Sequence, residues 1–181
     1  ANTTGGSNTA IGDTALDANT TGSDNTAVGR IALGTNTVGF GNVAIGFCAL
    51  KVNTAGEVNV AIGCRSMNAN TSGNCNTFVG KDAGLSNTVG FRNSGFGIKA
   101  GENVTTGDQN VFLGFESGAQ GGMVNITTED NRLVAGHSNI TNSYVKVDWT
   151  VTSDLRDKTN FGEVPHGLDF VNQLQPVSFQ F

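Results

Sequence analysis

The chain has 181 residues, with 15 Asp and Glu against 10 Lys and Arg, a net charge of −5, and only 14% charged and 7% aromatic residues. Such thin, net acidic charge argues against nucleic-acid binding by a basic face, and no run of about 18 apolar residues exists to span a membrane. Cys48, Cys64 and Cys75 are odd in number and lack C-x-x-C spacing, so neither a disulfide framework nor a zinc site is expected, and they read as small buried apolar side chains.

From the first residues the chain repeats. The asparagines of "NTAIG", "NTAVG", "NVAIG", "NVAIG", "NTFVG", "NSGFG" and "NVFLG" are Asn8, Asn25, Asn42, Asn59, Asn76, Asn93 and Asn110, a step of 17 residues without slip. Gly12 to Gly114, Gly5 to Gly107 and Thr3 to Thr105 keep the same step. Seventeen residues are too few for two packed helices but enough for short strands and turns. Short β-branched runs bounded by Gly and Asn read as strands and turns, and glycine in register points to positive φ or close chain approach. The repeat therefore predicts an all-β parallel solenoid, one coil per 17 residues, over residues 1–122. Ile11, Val28, Ile45, Ile62, Val79, Phe96 and Leu113 are expected in one inward-facing column. Leu16, Leu33, Leu50 and Met67 form a second apolar column that fails at Gly84, Gly101 and Gly118, where Phe78 and Phe112 have replaced Ala. The thin core favours association of several chains around an axis.

The motif "NTAIGxxAL" resembles the head repeats of trimeric autotransporter adhesins and similar repeats of phage tail fibres, over about Asn2 to Gly118. The resemblance implies a left-handed parallel β-roll in a homotrimer displayed at a surface. The adhesin repeat is usually shorter than this one. Stacked threonines also permit an ice-binding array, though hydroxyls bonded within turn ladders are the expectation. No G-G-x-G-x-D calcium pattern and no cofactor motif is found, and Glu57, Glu102 and Glu116 share no evident face that would make a hydrolase carboxylate pair.

After Gly122 the period breaks. Residues 123–152 read as a β connector with strands at Arg132–Gly136 and Tyr144–Val151, and His137 reads as polar surface. Then comes "SDLRDKTNF". Leu168, Val171 and Leu174 at helical spacing, with Pro165 and Pro176 at either end, predict a helix at about Gly167–Leu174 and a strand Val177–Phe181. The chain opens inside a repeat and ends on an apolar strand, which reads as a piece of something longer.

Ser153, Asp154, Arg156, Lys158, Gly167, Leu168, Leu174, Pro176, Val177 and Phe179 together resemble the opening of the endosialidase-type intramolecular chaperone domain of phage tailspikes and tail fibres, over residues 153–181. Thr159-Asn160-Phe161 departs from the usual Asn-Ile. The resemblance implies that the domain assists trimerisation and then cuts itself off at its amino end, with Ser153 as nucleophile, Lys158 as its base, Thr152–Ser153 as the cleaved bond, and Asp154 and Arg156 in support. It further implies a virion fibre assembled in the host cytoplasm, with a host-surface glycan or protein receptor and other tail or baseplate proteins as partners. A bacterial cell-surface trimeric adhesin head is the alternative, and an ice-binding solenoid the third.

Overall fold

The structure, a computed structural model, describes residues 2–144. The chain divides into two units, 1–142 and 143–181. The first is an all-β parallel solenoid; no helix occurs among the described residues. Its strands have three residues each: β1 (Thr9–Ile11), β2 (Thr26–Val28), β3 (Val43–Ile45), β4 (Val60–Ile62), β5 (Thr77–Val79), β6 (Ser94–Phe96), β7 (Val111–Leu113) and β8 (Leu133–Ala135). They form one parallel sheet in sequence order. Each strand pairs with its own counterpart one repeat on, as in Val43↔Val60 and Ile45↔Ile62. Coils are numbered from the residue three places before the glycine series Gly5 to Gly107: Asn2, Asn19, Asn36, Asn53, Asn70 and Asn87 open coils one to six, Val104 coil seven and, 22 residues on, Ile126 coil eight.

The periodicity read from sequence ends at Gly122, yet the coil does not. β8, within the expected strand Arg132–Gly136, stacks on β7 with Val111↔Leu133 and Leu113↔Ala135. Thr105 Oγ1 donates to Thr127 O across 22 residues, and Asn103 Nδ2 to Asn125 Oδ1 across the same interval. A longer loop around Met123 and Val124 thus enters the seventh turn without disturbing the register. The later expectations, a strand at Tyr144–Val151, the helix at 167–174 and the strand at 177–181, fall outside the described residues, apart from Tyr144 itself.

The expected inward column needs correction. Ile11, Ile45, Phe96 and Leu113 are among the exposed large hydrophobics, Ile11 at 61% and Ile45 at 37%. From β2 on, the buried residue of each strand is the middle one, with Ala27, Ala44, Ala61, Phe78 and Phe112 all at 0%, whereas β1 is exposed at all three positions. The cause is parity. The asparagine just before each of β2 to β7 is turned inward, successive side chains alternate, and only the second strand position returns to the interior. The second apolar column is correctly placed, with Leu33, Leu50 and Met67 fully buried.

The core is narrow, and its two walls trade volume. In the early coils Ala on the strand faces Leu or Met on the opposite wall. In the later coils the Phe78 and Phe112 rings stack at 6.4 Å between centroids. A Cβ on Gly84 would lie 2.8 Å from the Phe78 ring, and one on Gly101 2.7 Å from the Phe112 ring. Gly118 is likewise held against Phe112, and Gly95 against Phe78. Phe with Gly therefore fills the space of Ala with Leu. The exchange is eased by the backbone, since Leu33 (φ 50), Leu50 (φ 47) and Met67 (φ 49) occupy the left-handed region that Gly84 (φ 59) enters without a Cβ penalty.

Two asparagine ladders fill the rest of the interior. In one, Asn36, Asn53 and Asn70 each donate from Nδ2 to Oδ1 of the asparagine one coil earlier at 2.8 Å. In the other, Asn42, Asn59 and Asn76 each do so at 3.1 Å, and their backbone N–H groups bond the same oxygen. Both ladders also donate to shared glycine carbonyls: Asn42 and Asn53 to Gly56 O at 2.8 and 3.0 Å, Asn59 and Asn70 to Gly73 O at 2.7 and 3.1 Å. A Cβ on Gly39 would run into that Gly56 oxygen, so the glycine series of this turn is required by close approach. The first ladder stops at Val104, which has no donor, and Asn87 Oδ1 is left as the unpartnered buried side-chain oxygen of the described residues.

Two stability predictions follow from this packing. Phe78→Ala should lose about 3–5 kcal/mol in chemical unfolding, and Gly84→Leu alone should also destabilise, while the double variant restores the early-coil pair and recovers part of the loss. A strictly additive double-mutant cycle would contradict the exchange. Asn53→Ala leaves Asn36 Oδ1, one Asn70 N–H and Gly56 O short of a partner and should cost about 1–3 kcal/mol for each group left unpaired, against under about 1 kcal/mol for Thr54→Val on the exposed turn; equal losses would remove the ladder from its structural role.

Candidate functional site

With the asparagine and the middle residue of each strand turned inward, the first and third strand positions make an outer sheet face. One column of that face runs through Thr26, Val43, Val60, Thr77, Ser94 and Val111, the other through the Ile11-to-Leu113 series. None of these outward positions carries a charge in any of the eight strands. Parallel sheets are ordinarily covered on both faces. This one is half-buried to exposed on its outer side, where uncharged and mostly apolar side chains meet water.

Charge is placed elsewhere, two and three positions after the strand and on the turns. Arg65 Nε donates to Asp82 Oδ1 at 2.8 Å, with Lys81 Nζ at 3.8 Å from the other oxygen, so the buried Asp82 carboxylate is paired. One coil further, Lys99 lies 3.6 Å from Glu102 and 3.5 Å from Glu116. Glu102, then Glu116, holds the Lys99 ammonium above its ordinary pKa, and Asp82 does the same for the Arg65 guanidinium. Glu102 and Glu116 thus do converge, contrary to expectation, but on a lysine rather than as a hydrolytic pair. Glu57 sits on a different turn. The cationic partners Arg65 and Lys81 remain largely in water, whereas the Asp82 carboxylate they hold is 2% exposed.

His137 is not plain surface. Asn139 N–H donates to its Nδ1 at 3.2 Å, which puts the ring proton on Nε2, 3.2 Å from Glu116 Oε2. The ring also lies 5.5 Å from that of Phe115. The backbone N–H groups of Thr127, Glu129 itself and Thr128, in that order, hold the Glu129 carboxyl below the usual range.

Of the cysteines, Cys48 is buried as expected, whereas Cys64 is half-buried and Cys75 exposed; all are free. The threonine series is committed to the coil: Thr37 Oγ1 donates to Thr54 O at 3.0 Å, and Thr54 and Thr71 repeat the bond to Thr71 O and Thr88 O at 3.1 Å. Hydroxyls so used do not present a free array. Among the described residues no cluster of His, Cys, Asp and Glu is arranged to hold a metal ion, and no helix is long and apolar enough to cross a membrane. The asparagine series Asn2 to Asn87 and the sign alternation of Arg65, Asp82, Lys99 and Glu116 went unread in the sequence. Both lie at the same 17-residue step and were open to it.

Thr152, Ser153, Asp154, Arg156 and Lys158 lie outside the described residues, so the geometry of the proposed cleavage centre is not on view. The comparisons with known proteins bear on that segment. Residues 153–181 match the family model described as chaperone of endosialidase. No curated protein and no solved structure matches the chain significantly. A parallel β-solenoid followed by this segment fits a phage fibre that carries the start of a C-terminal chaperone domain.

Proposed function

We propose that the chain is a homotrimeric fibre, the shaft or receptor-binding tip of a phage tail fibre or tailspike, which serves attachment to the host surface. The observation that carries the assembly is the uncharged outer sheet face, continuous over eight strands. Three such faces turned to a common axis would remove from water the apolar columns that one chain leaves exposed, at about 25 cal/mol per Å² buried. An exposed ordered apolar surface of this kind marks an interaction site. The organisation that goes with it is a rod, a connector, and from Ser153 the start of the chaperone domain.

The same family match supports a maturation step. A serine hydroxyl is a weak nucleophile until a base takes its proton. Lys158 can be that base where burial or neighbouring cations lower its pKa. Ser153 Oγ then attacks the Thr152 carbonyl, and the amide between Thr152 and Ser153 becomes an ester with release of the Ser153 amine. Water hydrolyses the ester and regenerates the hydroxyl. Asp154 and Arg156 hold the loop or pair between chains. Cutting after assembly would make the fibre kinetically hard to unfold, because the chains could not readily find register again.

The assembly is tested on the outer face. Ile45→Asp and Ile62→Asp should keep the β-sheet circular dichroism of the single chain yet shift the light-scattering mass from trimer toward monomer. Trimers unaffected by both substitutions would reject this face as the interface. Processing is tested on the chain extended through its full chaperone domain. Wild type should be cut at Thr152–Ser153, while Ser153→Ala and Lys158→Ala remain full-length trimers by intact mass. A wild type never cut under any assembly condition would remove the self-cleavage and leave the fibre standing.

A further inference from the structure

The outer face alone poses a register problem. Its columns repeat almost unchanged, with Val43 and Ile45 followed one coil later by Val60 and Ile62. Two chains packed through such a face could slip by one coil, about 4.8 Å, and meet nearly the same surface. Something outside the strand must distinguish the levels.

The positions flanking the strand do so. In coil three the exposed side chains before and after the strand are Phe40 at 44% and Phe47 at 39%, with Val38 beside them. In coil six they are Phe91 at 37% and Ile98 at 49%, with Val89. Coils one, two, four and five have no large apolar residue at any of these three positions. Within its own chain Phe40 is stacked between the levels of Ser23 and Glu57, and Phe91 between those of Asn74 and Asp108; Arg92 lies over the Phe91 ring at 5.4 Å, and both rings remain exposed. Arg30 covers one face of the Phe47 ring at 4.5 Å and leaves its edge in water. Phe115 in coil seven departs from the pattern: it is 52% exposed, but the leading edge of its coil carries Asp108, and one side of its ring lies 5.5 Å from that of His137.

On the trimer reading given above, we propose that these two apolar rows are the register keys between chains: Phe40 of one chain packs on Phe47 of its neighbour, and Phe91 on Ile98. Cyclic symmetry brings the leading edge of each face against the trailing edge of the next with no net translation, so contacts fall between equal coils. That is why the apolar residues coincide at both edges of the same coils. A slip of one coil would set Phe40 against Arg30 or Cys64 and expose Phe47. Two keys, three coils or about 14 Å apart, then select one alignment of three otherwise self-similar rods.

Cys64 supplies a native probe, since it occupies the trailing edge of coil four. In the full chain with Cys48→Ala and Cys75→Ser, Glu57→Cys places a thiol on the leading edge of the same coil, and Asn74→Cys places one a coil away. Under mild oxidation, Glu57→Cys should give covalently linked trimers on denaturing gels, and Asn74→Cys should not. Adding Phe40→Ser and Phe91→Ser should let the Asn74→Cys chain cross-link as well, because the slipped alignment is then no longer disfavoured. Light scattering run alongside separates the two levels of inference. A stable trimer that cross-links equally through both positions, only through Asn74→Cys, or through neither, overturns the register keys while the trimer stands. A monomer overturns both.

Discussion

The structure depends on one carbonyl per coil. The oxygens of Gly56 and Gly73 each receive two amide donors, one from each asparagine ladder, while the backbone one coil earlier comes so close that only glycine fits. Two lone pairs, two donors and a missing Cβ lock three sequence positions together at every repeat. A buried polar group without a partner loses more than a hydrogen bond gains, so the ladder is favourable only when every member is in place. This cooperative condition explains why Asn8 to Asn110 and Gly5 to Gly107 hold a 17-residue step without slip over seven repeats.

A polar interior leaves little room for apolar bulk. The strand contributes an alanine, or a phenylalanine at the expense of a leucine across the core, and the larger β-branched residues go outside. The molecule thereby inverts the usual allocation: hydrogen-bonded amides and small side chains inside, isoleucine and valine on the face. Such a coil is ordered by its neighbours more than by its own burial. It also acquires an outer surface lined by half-buried to exposed valine and isoleucine.

The 17-residue step, the parallel stacking, the need for glycine and the Phe-for-Leu exchange were all legible, because each leaves an unbroken register or a compensated break in the chain. The facing of the Ile column was not. In a three-residue strand either parity gives one apolar column, and the deciding signal was the asparagine beside it, a polar residue that hydropathy assigns to the surface. The strand of β8 was expected, but its place as an eighth coil was missed for a different reason: the extra residues around Met123 hide the repeat from a fixed-step search, although Asn125, Thr127 and Asp130 each reproduce their counterparts 22 residues back. The serine segment was readable only by likeness to a family, since a cluster of charges near a hydroxyl has no periodicity to test.

The ladder's end at Val104 has a mechanical meaning. Sheet and ladder bonds run from coil to coil, so a load applied along the stacking direction would pass through them. The junctions between coils are then links in series, each bearing the whole load through the bonds it holds in parallel. Between coils six and seven one strand of that rope changes from amide pairs to the apolar contact of Val104, and Asn87 Oδ1 is left without a partner. The amide pairs of this ladder are thus confined to the coils opened by Asn2 to Asn87, and the buried Val104 and Ile126 take their place in coils seven and eight.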